Sequence, residues 1–124
     1  MSNNKFLLSI TELGGYPDFR ELYKKCGFQV EAVNSMRKAL HSLKQNKYDI
    51  VVAEFNFQSD FRDRTSSLET LMAVIQQMDE VKIIIFYEKE YFHQFEKLRA
   101  RFSFYAELAY PIDTQQLKAA LENV

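Results

Sequence analysis

The stretch YDIVVAEFNF, residues 48–57, decides how the chain is read. Ile50, Val51, Val52 and Ala53 form an unbroken apolar run without alternation, and an acid, Glu54, stands where the run stops. A strand that is apolar on both faces suits the interior of a parallel sheet covered by helices on each side. Such sheets gather their working groups at the carboxyl ends of the strands, in the crevice where strand order reverses. Glu54 is therefore either a working group at that crevice or the polar end of a buried strand.

Outward from this strand the sequence alternates. KFLLSI (5–10), FQVEAV (28–33), VKIIIFY (81–87) and FYAELAY (104–110) have the composition of further strands. Helical spacing separates them. Phe19, Leu22, Tyr23 and Cys26 recur at i, i+3, i+4 and i+7, with Pro17 suited to the first turn and Gly27 to the end. Asn34 or Ser35 can cap a second helix whose stripe is Met36, Ala39, Leu40 and Leu43. Ser66 and Glu69 have capping-box spacing ahead of a third, with Leu68, Leu71, Met72, Ile75 and Met78 on one side. A fourth is expected from about Glu90 to Arg101, with Tyr91, Phe95, Leu98 and Phe102 in line, and a fifth after Asp113, turning Leu117, Ala120 and Leu121 inward. Five strands alternating with five helices imply an α/β three-layer sandwich around a five-stranded parallel sheet.

Composition bounds the rest. A chain of 124 residues that is 47% hydrophobic and rich in Phe and Tyr suits one globular domain, residues 1–124. No apolar run approaches the length of a membrane span. Sixteen basic against seventeen acidic residues give a net charge of −1, which argues against broad attraction to nucleic acid or anionic lipid. The lone Cys26 and an opening MSNNKF without a signal-peptide layout lead to a cytoplasmic expectation.

The strand-end rule nominates Thr11, Glu12, Glu54, Tyr87 and Tyr110. Elsewhere no phosphate-binding glycine loop, nucleophile elbow or Cys pair is present, and His41 and His93 have no partner at metal-ligand spacing. No catalytic residue, metal or cofactor is therefore expected. The loop FNFQSDFRDRTSS sets Phe55, Phe57 and Phe61 among Arg62 and Arg64, the usual material of a binding surface, although the rings could equally tuck beneath the loop. EKEYFHQFEKLRARFSFY (88–105) holds more aromatics than one helix face needs. Gly14 and Gly15 precede a helix start and could meet an anion or simply turn.

In layout the chain resembles the receiver domain of two-component response regulators, the CheY-like, flavodoxin-like fold with strand order 2-1-3-4-5. CGFQVEAVNSMRKALHSLKQNKYDIVVAEF resembles the second strand, second helix and third strand of that family, and YPIDTQQLKAAL its closing Lys-Pro, acidic cap and last helix. The resemblance implies a signalling module. It also implies an acidic Mg²⁺-binding pair at Ile10 and Thr11, a phosphoacceptor at Glu54, a hydroxyl residue at Tyr87 and a lysine at Tyr110. None of these positions keeps the family's residue; Glu12 lies one position off register. Receivers commonly carry a cis bond at their Lys-Pro, here Tyr110-Pro111, and commonly dimerise through the region of 88–110, where Tyr91, Phe92, Phe104 and Tyr105 are the candidate contacts.

Mg²⁺ usually needs one or two carboxylates beside phosphate and water, and phosphoryl transfer needs charge neutralised around the transferred group. The chain is accordingly expected to be a phosphorylation-independent pseudo-receiver that works through an unidentified protein partner, without nucleic acid or membrane. Three readings of Glu54 stay open: a residual phosphoacceptor, a fixed mimic of the phosphorylated state, and a solvated strand-end acid. Two other functions stay open as well: a divergent receiver that is still phosphorylated, and a small-ligand-binding flavodoxin-like domain using the crevice.

Overall fold

The computed structural model describes residues 5–11, 19–55, 63–78 and 81–124, with backbone alone for 63–69. Five parallel strands form one sheet in the order β2-β1-β3-β4-β5: β1 Lys5–Ile10, β2 Phe28–Val33, β3 Ile50–Glu54, β4 Lys82–Tyr87 and β5 Ala106–Ala109. The helices between and after them are α1 Arg20–Lys25, α2 Met36–Gln45, α3 Asp63–Gln76, α4 Phe92–Arg99 and α5 Thr114–Glu122, with a 3₁₀ turn at Lys89–Tyr91. This is the three-layer sandwich that the sequence pattern implies, with the flavodoxin-like strand order that the resemblance implies.

Strand alternation sorts the core into two layers. Leu7, Ile50, Val52, Ile84 and Phe86 pack with Tyr23 of α1 and Leu117 and Leu121 of α5. The residues between them, Leu8, Ile10, Val51, Ala53, Ile83 and Ile85, face the other way onto Met36, Ala39, Leu71, Met72, Ile75, Phe95 and Leu98 of α2, α3 and α4. Every residue of β3 is buried, as expected of a central strand covered on both sides. Each large apolar side chain fully withdrawn from water contributes about 1.5–3 kcal/mol, so the two layers are the main source of stability.

Helix ends follow local chemistry. The Ser35 side chain accepts from the Lys38 amide and so caps α2, and Asp113 accepts from the amides of Gln115 and Gln116 to cap α5. Gly27 ends the turn after α1 at φ +94°, a region a Cβ disfavours. The Tyr110-Pro111 bond is cis.

Three boundaries differ from the sequence expectation. Ser66 does not begin α3; the helix starts at Asp63, because no Gly or Pro lies between 63 and 66 to stop it propagating backward. The fourth helix is shorter than 90–101: its first turn is 3₁₀, and Ala100 and Arg101 form a closing turn. The fifth strand is confined to Ala106–Ala109, leaving Phe104 and Tyr105 ahead of it. Glu12, Gly14, Gly15, Pro17, Phe57, Phe61 and Arg62 lie outside the described residues.

Candidate functional site at the strand ends

Glu54 closes β3 and is 6% exposed, the only acidic residue in the buried set of the described chain. Its register neighbour on β4 is Phe86, and the Phe55 amide donates to the Phe86 carbonyl at 2.7 Å, holding the two strand ends level. On the other side of Phe86, the Tyr110 amide donates to the Tyr87 carbonyl at 2.9 Å and extends the β5 ladder by one residue. Glu54, Phe86 and Tyr110 are thereby brought to the same end and the same layer of the sheet. The Tyr110 hydroxyl donates to Glu54 Oε2 at 3.1 Å. Its ring meets Phe86 edge-on, with centroids 5.8 Å apart, and Phe86 in turn meets Phe19 edge-on at 5.9 Å.

Beside this trio, where β1 and β3 part to opposite sides of the topology, lies a cleft of about 440 Å³. Ser9, Thr11, Arg20, Asn34, Lys38 and Glu54 supply its polar lining, and Phe19, Val52 and Phe86 are among its apolar residues. The Lys38 ammonium donates to the Asn34 side-chain oxygen at 3.0 Å, a neutral partner. Thr11 is exposed, and its amide donates to the Val33 carbonyl, so β1 and β2 remain zipped up to the mouth of the cleft.

The family's metal site does not fit these residues. Ile10 is buried in the α2-α3-α4 layer and Thr11 brings a hydroxyl, so Glu54 is the one carboxylate lining the cleft among the described residues. A phenol already occupies one of its oxygens. Among the described residues no cluster of His, Cys, Asp and Glu could hold a metal ion.

Of the two tyrosines nominated by position, only Tyr110 reaches Glu54. Tyr87 is one residue beyond Phe86, so alternation turns it into the opposite layer, where it stacks on Phe95 with centroids 4.5 Å apart and planes 13° apart. The same rule decides between the two readings for Phe55, the one phenylalanine of the Phe/Arg loop among the described residues. Phe55 is not part of an exposed surface; it is 3% exposed and packs on Phe95 at 5.5 Å. Arg64 is helical, within the first turn of α3.

The 88–110 region is more closed than its composition implies. Tyr91, Phe92 and Phe104 are half-buried and packed against the core, leaving Tyr105, at 36% exposed, as the open ring of the four. Even Tyr105 is tied down: its hydroxyl donates to the Ala120 carbonyl at 2.9 Å, and the Lys82 ammonium lies 5.7 Å from its ring centre. Arg99 and Glu107 form an ion pair at 3.0 Å nearby.

Sequence reasoning missed Ser9, Phe19, Arg20, Asn34, Lys38 and Phe86 as neighbours of Glu54. The strand-end rule was applied to four strands but not to β2. Extended to it, the rule nominates Asn34, and with it Lys38, four residues on and one helical turn away.

Compared by sequence, the chain matches no family model and no curated protein. Its fold is matched by solved structures. A response regulator receiver domain protein from Clostridium thermocellum superposes with a TM-score of 0.71 at 16% identity, over 96% of this chain and 92% of that one. The signal receiver domain of an HD domain-containing protein from Pseudomonas fluorescens Pf-5 gives 0.72 at 15%, over 98% and 94%. A response regulator receiver protein from Pseudomonas putida gives 0.73 at 13%, over the full length of both chains. At these identities the likeness is one of architecture: the chain has the CheY-like, flavodoxin-like fold of receiver domains.

Proposed function

We propose that the protein is a regulatory module with a receiver's scaffold, a pseudo-receiver, which acts through contact with a protein partner and without phosphoryl transfer. The observation that carries the reading is the hydrogen bond from Tyr110 to Glu54. A buried carboxylate capped by a phenol, with Tyr110 where the family has its lysine and Ile10 and Thr11 at the neighbouring strand end, lacks among the described residues the second carboxylate that a phosphoryl group's metal requires. Glutamate also carries one negative charge where a phosphoryl group brings nearly two. In this reading Glu54 is a fixed structural link between β3 and the loop after β5.

The test is partner capture from the native cell by wild type and Glu54→Gln, each with and without Mg²⁺ and acetyl phosphate. The same partner at the same yield with and without phosphodonor is the expected result. Capture that depends on the phosphodonor and is lost in Glu54→Gln would instead support a divergent, still phosphorylated receiver.

A further inference from the structure

The cleft beside Glu54 has features that a partner-binding module does not need. Its volume of about 440 Å³ falls within the range of small-molecule sites. Its charge is uneven: among the described residues, Arg20 and Lys38 line it against the single acid Glu54. One oxygen of that acid already accepts from Tyr110 on the side of the sheet, and the Lys38 ammonium is held by a neutral amide oxygen. An anion placed at the Lys38 end would therefore gain a charge-assisted hydrogen bond and break no ion pair of Lys38. The apolar part of the lining is partly aromatic, with Phe19 and Phe86 set edge-to-face, and so offers ring surface to a flat ligand.

We infer that this cleft binds a small planar organic anion, with its carboxylate or phosphate at Lys38 and Arg20 and its ring against Phe19 and Phe86. The inference goes beyond the signalling proposal and is independent of it, since a partner can be bound whether or not the cleft is filled. Carboxylate and phosphate-ester ligands share the chemistry, and the choice of probes separates them.

The experiment is a ¹H-¹⁵N NMR titration of the intact chain with benzoate, adenosine monophosphate and inorganic phosphate in parallel, repeated in Lys38→Glu. That substitution keeps α2, because a carboxylate three residues after Ser35 completes a capping box; an unchanged melting temperature checks it. The expected result is saturable movement of the Thr11, Val33 and Phe86 amides with at least one organic probe, weakened about tenfold or more in Lys38→Glu. Benzoate alone would assign a carboxylate ligand, and adenosine monophosphate alone a phosphate ester. Three results would overturn the inference: no saturable movement with either organic probe, affinities unchanged in Lys38→Glu, or inorganic phosphate binding as tightly as the organic anions. Because no phosphodonor or partner is present, failure here leaves the signalling proposal standing.

Discussion

The Tyr110 hydroxyl lies 3.1 Å from Glu54 Oε2, joining the last residue of the central strand to the residue that follows the edge strand. The carboxylate is buried, so removing the donor costs more than it would at the surface. Tyr110→Phe keeps the edge-on contact with Phe86 and deletes only the hydroxyl. It is expected to lower unfolding stability by about 1–2 kcal/mol in a urea titration, with the m-value unchanged.

Tyr48 is a buried phenol whose effect depends on pH. Its hydroxyl donates to Glu31 Oε1, while Ser42 donates to the other oxygen of the same carboxylate at 2.9 Å. Burial first, and the bond to Glu31 second, hold the Tyr48 phenol above the ordinary tyrosine range. The unfolded chain ionises this group near pH 10 while the folded chain keeps its proton. The stability it contributes is therefore present below about pH 10 and is lost as pH rises toward the folded value. Tyr48→Phe is expected to lose about 1 kcal/mol at neutral pH and to show a shallower fall at high pH, read from melts across pH 8–11.

Phe95 is the hub of the aromatic cluster on the α4 side: fully buried, stacked on Tyr87 and Phe104, and tilted against Phe55 and Phe92. Phe95→Ala leaves a cavity between four rings that cannot all close in. A loss of about 3–5 kcal/mol is expected, measured by denaturant titration. Set against a total of about 5–15 kcal/mol for an ordinary domain, that would leave the variant marginal.

Gly27 offers a test of backbone preference alone. At φ +94° a Cβ would meet nothing within 4 Å beyond its chain neighbours, so Gly27→Ala clashes with no other part of the fold. The cost is that of the conformation itself, about 1 kcal/mol, and a melting curve reads it.

How much of this was legible in the sequence depends on the kind of signal. The unbroken run Ile50–Ala53 and the stripes of α2 and α5 gave strands and helices, because period and burial are local properties of the chain, while the sheet order came from the resemblance to receiver domains. The start of α3 was not legible, since Ser66 carries a cap signature that counts only where a helix is free to end. At the site, residue position along the strand identified Glu54 and Tyr110 correctly as neighbours. The same rule misassigned Tyr87, whose ring belongs to the other layer by one step of alternation. Phe55 stood between two open readings, a binding loop and a ring tucked beneath it, and its parity with Ala53 places it in the core. The Lys38 side of the cleft required knowledge of which helix start lies beside which strand end, a tertiary fact with no local signature.

The central claim is that this receiver-like scaffold does not accept a phosphoryl group at the end of its third strand. Incubation with acetyl phosphate and Mg²⁺, followed by intact-mass measurement of wild type and Glu54→Gln under conditions that preserve acyl phosphates, tests it most directly. The expected result is an unmodified mass for both proteins. A phosphoryl adduct on the wild type that disappears in Glu54→Gln would contradict it.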